Sequence, residues 1–361
     1  MERKLGISIY PEKSTVKLDK EYIDLAAKYG YTRIFTCLLS ADKPIDEIKK
    51  DFTEIINHGR DKGFEVILDV APNIFDRLGI SYDDLGFFAE LGAHGVRLDL
   101  GFDGVKEAEF THNPYNLKIE LNLSNDVDYL NNIMTYKPNV SNLIGCHNFY
   151  PQNYTALGYE FFLDCTRRFK KHNLRTAAFV TCKGELGPWD INDGLCTLEM
   201  HRNLPITTQA KHLWATGLID DVIIGDGYAT EEQIRSLSQL NPHMIQLDVE
   251  LEKDINEIEK GIAVDTRHYR RGDLTEYMVR STEIRKKHNS SDISPRNEFV
   301  QRKGDVVVGN NDFGKYKGEL QLILKEMEGD TRKNLVGKIV EHERFLVDFV
   351  GAWDKFTLKE V

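Results

Sequence analysis

Along the first two thirds of the chain, short runs of apolar, often β-branched residues alternate with longer stretches whose apolar positions recur every three to four residues. Eight such runs stand out: Leu5–Tyr10, Arg33–Leu38, Glu65–Val70, Gly95–Leu100, Lys118–Asn122, Leu143–His147, Thr176–Thr181 and Asp221–Gly225. Each has the length of one strand, and between them lie amphipathic segments such as Asp46 to Lys62 and Tyr159 to His172. Strands alternating with helices call for parallel pairing through right-handed crossovers. Eight units before residue 241 predict a closed (β/α)8 TIM barrel, an α/β fold, over residues 1–241. An open doubly wound sheet is the competing architecture. It is disfavoured because no G-x-G-x-x-G follows an early strand.

After Asn241-Pro242 the rhythm shifts to period two. Met244 to Leu251, Tyr277 to Ser281, Val306 to Val308, Gly318 to Leu324 and Lys338 to Val350 read as strands, so residues 242–361 are expected to form a compact β domain. His288 to Asp292 reads as a surface loop.

Composition narrows the function. The chain has 361 residues and a net charge of −11, which argues against nucleic acid or anionic membrane as a partner. Its five cysteines are odd in number and form no C-x-x-C pair, so neither a disulfide framework nor a structural zinc site is expected, and a reducing compartment is. The apolar run at Leu5–Tyr10 is too short for a secretory signal and no stretch has the length of a membrane span, so a cytoplasmic protein is expected.

In a barrel of this type the reacting groups come from the C-terminal ends of strands and the loops beyond. Those ends are rich in acids and amides. Asp69, Asp99, Glu120, Glu185 and Asp226 are the candidate catalytic carboxyls, and Asn122, His147, Asn148, Tyr150 and Lys183 are candidate substrate contacts. An acid within an apolar strand needs a partner or a task, which singles out Asp69 and Asp99. Acids, amides and aromatics at one mouth suit a sugar, and glycoside cleavage needs one protonated and one ionised carboxyl. Asp99 with Glu185 is one such pair; spacing alone leaves Asp69, Glu120 and Asp226 equally eligible. Asp226 lies between Gly225 and Gly227, where backbone amides can approach a ligand instead. No second ligand stands at metal spacing from His147, so neither metal nor cofactor is expected. Lys183 offers an alternative, Schiff-base chemistry on a carbonyl substrate. In the second domain, Arg271, Arg280, Asn310 and Lys317 are candidates for holding a phosphate or carboxylate.

Five segments carry a resemblance: Leu5-Gly6-Ile7-Ser8-Ile9-Tyr10-Pro11, Val96-Arg97-Leu98-Asp99, His147-Asn148-Phe149-Tyr150-Pro151, Gly225-Asp226-Gly227 and Tyr316-Lys317-Gly318-Glu319-Leu320-Gln321. Together they resemble the 6-phospho-N-acetylmuramidase family across nearly the whole chain. The resemblance implies a TIM barrel with a cyclophilin-like β-barrel domain. It also implies hydrolysis of a small phosphorylated disaccharide, 6-phospho-N-acetylmuramyl-β-1,4-N-acetylglucosamine, during cell-wall recycling in the cytoplasm. It does not say which carboxyls act, and a sugar-phosphate lyase or a non-catalytic sugar-phosphate binder remain the alternatives.

Overall fold

The computed structural model describes residues 2–38, 44–70, 75, 80–81, 83–98, 101–125, 127–296 and 299–361. Two compact units divide the chain. The first comprises Met1–Leu213 with Gly217–Gln239, and the second Leu240–Val361 with Trp214–Thr216.

The first unit is a closed eight-stranded parallel barrel. Its strands are β1 (Leu5–Ile9), β2 (Arg33–Leu38), β3 (Glu65–Val70), β4 (Gly95–Leu98), β5 (Lys118–Asn122), β6 (Leu143–Cys146), β7 (Arg175–Val180) and β8 (Asp221–Ile224). β8 closes on β1 through the pairs Leu5 with Val222 and Ile7 with Ile224. Strands that are covered by helices outside and packed side chains inside are apolar on both faces, which is why they read as near-continuous runs. The helix Tyr159–Lys170 shows how the covering layer is specified. Phe162, Leu163, Cys165, Thr166 and Phe169 are buried, a spacing that gathers them on one helical face. Burial of each large apolar side chain of this set contributes about 1.5–3 kcal/mol. Thr230 caps the helix Glu231–Ser238, accepting from Gln233 N, while Gln233 returns the bond to the Thr230 backbone.

The second unit is a seven-stranded, nearly closed sheet, ordered β10-β15-β9-β14-β12-β13-β11. Here β9 is Ile245–Leu251, β10 His268–Tyr269, β11 Met278–Ser281, β12 Asp305–Gly309, β13 Leu320–Ile323, β14 Lys333–Ile339 and β15 Lys355–Glu360. Alternate residues of these strands, among them Leu247, Val249, Val306, Val308, Leu320, Leu322, Phe356 and Leu358, form its core. One expected strand is overturned. Lys338 to Val350 is the end of β14 followed by a 3-10 segment, Glu341–Phe349. Leu346, Val347 and Val350 recur at helical spacing against the core, and the buried Glu343 accepts from Asp248 N at 2.8 Å.

Candidate active site at the barrel mouth

Four neighbouring strands place Cys37, Asp69, Arg97 and Glu120 side by side. Cys37 pairs with Asp69, Asp69 with Arg97, and Arg97 with Glu120. Because barrel strands tilt, such a row climbs obliquely to the barrel axis.

The upper end opens into a cleft. It has a volume of about 130 Å³ and is lined by Asp69, Arg97 and Asn148 together with Phe35, Phe149, Phe179 and Trp189. Apart from Phe35, in the middle of β2, these come from the C-terminal halves of strands or the loops beyond them. Arg97 Nη1 donates to Asp69 Oδ1 at 2.8 Å, and its Nη2 donates to Asn148 Oδ1. The guanidinium is buried and the carboxylate only partly so. Charge assistance strengthens these bonds. Opposite them Phe149 meets Phe35, Phe179 and Trp189 at ring-centroid distances of 5.8, 4.9 and 5.8 Å. Trp189 is about half exposed, so one wall of the cleft is an accessible aromatic surface.

The lower end belongs to an ionic network at the strand starts. Glu120 accepts from Arg33 Nη2, and Arg33 Nη1 donates to Asp221 Oδ2. Arg175 pairs with Asp221 at 2.7 Å and with Glu65 at 2.8 Å, and Lys4 joins Glu65 at 2.8 Å. Burial opposes the charge of Arg33, yet the facing carboxylates of Glu120 and Asp221 hold its pKa above the ordinary value. Burial likewise pushes Glu65 up, and Arg175 and Arg33 overcome it to hold Glu65 at about 2. Glu120 is absent from the cleft lining and is tied to the floor through Oε2, which accepts from Arg33, while its Oε1 is buried without a hydrogen-bond partner.

Asp226 is fully buried. Its two carboxylate oxygens accept from Cys182 N at 3.0 Å and Leu195 N at 3.1 Å, which ties the loop after β7 to the end of β8. Burial raises its pKa, against the hydrogen bonds from Thr181 and the backbone. The amide of Gly227 donates to Leu186 O at 3.0 Å, so it is occupied within the protein. A Cβ on Gly225 would lie 2.2 Å from Leu195 O, which explains a glycine there. Glu185, on the same loop, is exposed. Asp99 lies outside the described residues.

The remaining candidates divide between cleft and scaffold. Asn148 lines the cleft. His147 is fully buried between Ser124 Oγ at 3.0 Å from Nδ1 and Thr166 Oγ1 at 2.8 Å from Nε2. Thr166 donates its proton to Phe162 O and Ser124 accepts from Asn148 N, so His147 carries its proton on Nε2 and accepts at Nδ1. Burial, then the charge of Arg97, lowers its pKa well below the ordinary value. It is a neutral post beneath Asn148. Asn122 accepts from Ser124 N at 2.9 Å and lines a separate small groove. The backbone of Tyr150 bridges Cys196, and Lys183, exposed, donates from Nζ to Asn203 Oδ1 at 2.8 Å.

In the second unit Arg271 pairs with Asp273 at the surface. Arg280 is bound to the buried Glu319 through Nε at 2.7 Å and Nη2 at 3.1 Å. Asn310 is fully buried and holds loops together, donating to Thr331 O and accepting from Asp312 N. Lys317 follows the 3-10 segment Asn311–Tyr316.

Comparison with known proteins adds the family. The model of the 6-phospho-N-acetylmuramidase N-terminal domain matches residues 5–239, and that of the C-terminal domain matches residues 245–359. The chain belongs to the 6-phospho-N-acetylmuramidase family. Among solved structures, that of an uncharacterized B. cereus protein is 60% identical, with a TM-score of 0.93 and 100% of each chain covered. A conserved Enterococcus faecalis protein with an unknown function is 25% identical, with a TM-score of 0.73 over 99% of this chain and 96% of that one. No curated protein matches. Among the described residues no helix is long and apolar enough to cross a membrane, and no group of three or more His, Cys, Asp or Glu side chains could hold a metal ion.

Arg97, which lines the cleft, is not among the candidates that the sequence pattern singles out. The signal was present: a guanidinium in the middle of Gly95–Leu98 must find partners inside the barrel, by the same argument that singled out Asp69. Phe35, Phe149 and Phe179 carry no such signal, because an aromatic in a barrel strand is ordinary core.

Proposed function

We propose that the protein is a glycosidase that hydrolyses 6-phospho-N-acetylmuramyl-β-1,4-N-acetylglucosamine, releasing N-acetylmuramic acid 6-phosphate and N-acetylglucosamine, in cytoplasmic peptidoglycan recycling. The observation that carries the reading is the cleft itself, where Asp69, Arg97 and Asn148 face a wall of Phe35, Phe149, Phe179 and Trp189. A pyranose has hydroxyls at its rim and an apolar C–H face, and this cleft offers a surface for each.

In that reaction water adds across the anomeric C–O bond, its oxygen going to the anomeric carbon and a proton to the departing sugar oxygen. Asp69, hydrogen-bonded to the Arg97 guanidinium, takes the part of base, nucleophile or charge stabiliser. The proton donor is then a different carboxyl, and Asp99 and Glu185 are the two candidates left once Glu120 and Asp226 are assigned to the scaffold. Trp189 covers the sugar's apolar face.

The test is incubation of the purified protein with phosphorylated and plain N-acetylmuramyl-N-acetylglucosamine, with products followed by mass spectrometry. N-acetylglucosamine is expected from the phosphorylated compound alone. Asp69→Asn keeps the shape of the side chain and should lower kcat by roughly 10²–10⁴ with the fold intact. Near-normal turnover in that variant would remove Asp69 from the chemistry, and an intact phosphorylated disaccharide would remove the activity.

A further inference from the structure

The second unit holds a cluster of cations that the pairing within it does not balance. Glu319 is fully buried and already receives two guanidinium groups, Arg280 and, at 3.0 Å, Arg285. Both guanidinium groups also lie over the Tyr316 ring, 5.7 and 5.2 Å from its centroid, and Lys315 Nζ lies 5.1 Å from it. Tyr316 meets Phe313 at 5.4 Å, and over Phe313 lie Arg332 at 5.1 Å and Lys333 at 5.7 Å. Among the described residues five cations therefore surround two adjoining rings, against the carboxylates of Glu319 and Asp330, the latter paired with Arg332 at 2.7 Å, with Asp273, itself paired with Arg271, also acting on Arg280.

Lys333 is the member hardest to explain as packing. It is only 6% exposed, its Nζ stands 3.4 Å from Gln301 Oε1 and 3.9 Å from Asp330 Oδ2, and burial lowers its pKa. A buried ammonium held this loosely is costly unless an anion completes its surroundings. Gln321 supplies an independent sign. It is 4% exposed, and its Nε2 donates to Glu319 Oε1 at 3.0 Å, which leaves Oε1, on the other side of the amide, buried and without a hydrogen-bond partner. Such an acceptor beside surplus positive charge calls for a ligand with an anionic group and a nearby O–H or N–H donor.

We propose that the second unit carries a binding site for a sugar phosphomonoester, in which Arg280, Arg285 and Lys333 hold the phosphate and Gln321 Oε1 accepts from an adjacent hydroxyl or amide. The choice of a sugar phosphate rests on the proposed phosphoglycosidase reading; the anion site stands on the cluster alone. The site shifts the anion-holding role away from Arg271, which is paired at the surface, and Asn310, which is locked among loops.

The experiment is calorimetric titration of the full chain with glucose 6-phosphate, inorganic phosphate and glucose. Millimolar or tighter binding is expected for the two phosphates and none for glucose. Lys333→Met should weaken phosphate binding about tenfold or more, as loss of a charge-assisted contact does. Arg285→Gln, at a partly exposed position, should do the same and keeps the test sound if Lys333→Met fails to fold. Gln321→Leu should weaken glucose 6-phosphate and spare inorganic phosphate. Absence of phosphate binding by the unaltered chain, or unchanged affinity in Arg285→Gln, would overturn the site. Because binding is read without turnover, a chain that binds glucose 6-phosphate through these residues yet leaves the disaccharide intact fails the glycosidase reading and keeps this one.

Discussion

The two poles of the barrel handle buried charge in different ways. At the floor, Glu120, Asp221 and Glu65 face Arg33, Arg175 and Lys4, and the network draws its members from five strands and the residue before β1. At the mouth, Arg97 bridges Asp69 and Asn148, and all three border open space. The same oblique row of residues feeds both ends. What separates Asp69 from Glu120 here is therefore whether a cavity lies beside the carboxylate. Chain position and charge alone do not distinguish Asp69 from Glu120.

The sharpest way to break this contrast is to remove the guanidinium at the centre of the floor. Arg33→Met leaves Glu120 without its partner and Asp221 with Arg175 alone, so it should cost about 3–5 kcal/mol of stability. Urea unfolding of the first unit measures it. A loss near zero would mean that the floor does not depend on paired charge. At the mouth the expected effect changes kind. Arg97→Gln should lower kcat by about 10²–10³, with a smaller stability loss than Arg33→Met, because Asp69 and Asn148 are partly exposed. If the unfolding free energy falls as far as at the floor while turnover per folded molecule is unchanged, the two poles are alike and the cleft is scaffold.

This contrast also explains what the sequence could and could not reveal. The eight strands were legible to within a residue or two because strands buried on both faces stay apolar along their length. The β7 helix partner, Tyr159–Lys170, was equally plain from its 3.6-residue period. In the second unit Glu341–Phe349 was misread as a strand, since a short 3-10 segment with Leu346 and Val347 adjacent looks extended over so few residues. The helix Glu257–Ala263 went unpredicted although Asn256 and Glu259 form its capping box. In the site, acids near strand ends could be enumerated, but the tilt that sends Asp69 up and Glu120 down is a property of the closed barrel. Asp226 gave no hint that its oxygens would be taken by the amides of Cys182 and Leu195, for those partners are 44 and 31 positions away.

A pH titration sharpens the comparison further. His147, His201, His212 and His268 are buried, and burial depresses each pKa, to about 4 for His212 and His268. The unfolded chain takes up protons near pH 6.5 that these folded side chains refuse. Stability present at pH 7.5 should therefore decline as the pH falls through about 6.5, continuing toward 4. Asp226 acts in the opposite sense, since its raised pKa makes the folded state bind a proton more readily than the unfolded chain. Comparing unfolding free energies of the unaltered chain and His147→Gln between pH 7.5 and 5 isolates the post beneath Asn148. The variant should show the flatter profile, and parallel profiles would mean that His147 titrates normally in the fold.

The smallest effect is expected where charge is paired in solvent. Arg271 and Asp273 form an exposed pair in which Arg271 holds the Asp273 carboxyl below its usual range. Water screens such pairs, so Arg271→Ala should change stability by no more than about 0.5 kcal/mol. If Arg280, Arg285 and Lys333 hold the phosphate, the variant should also leave the calorimetric affinity for glucose 6-phosphate nearly unchanged. A loss of glucose 6-phosphate affinity, with stability intact, would move the anion contact to Arg271 and show that an exposed pair in this protein is poised for a ligand and not merely solvated.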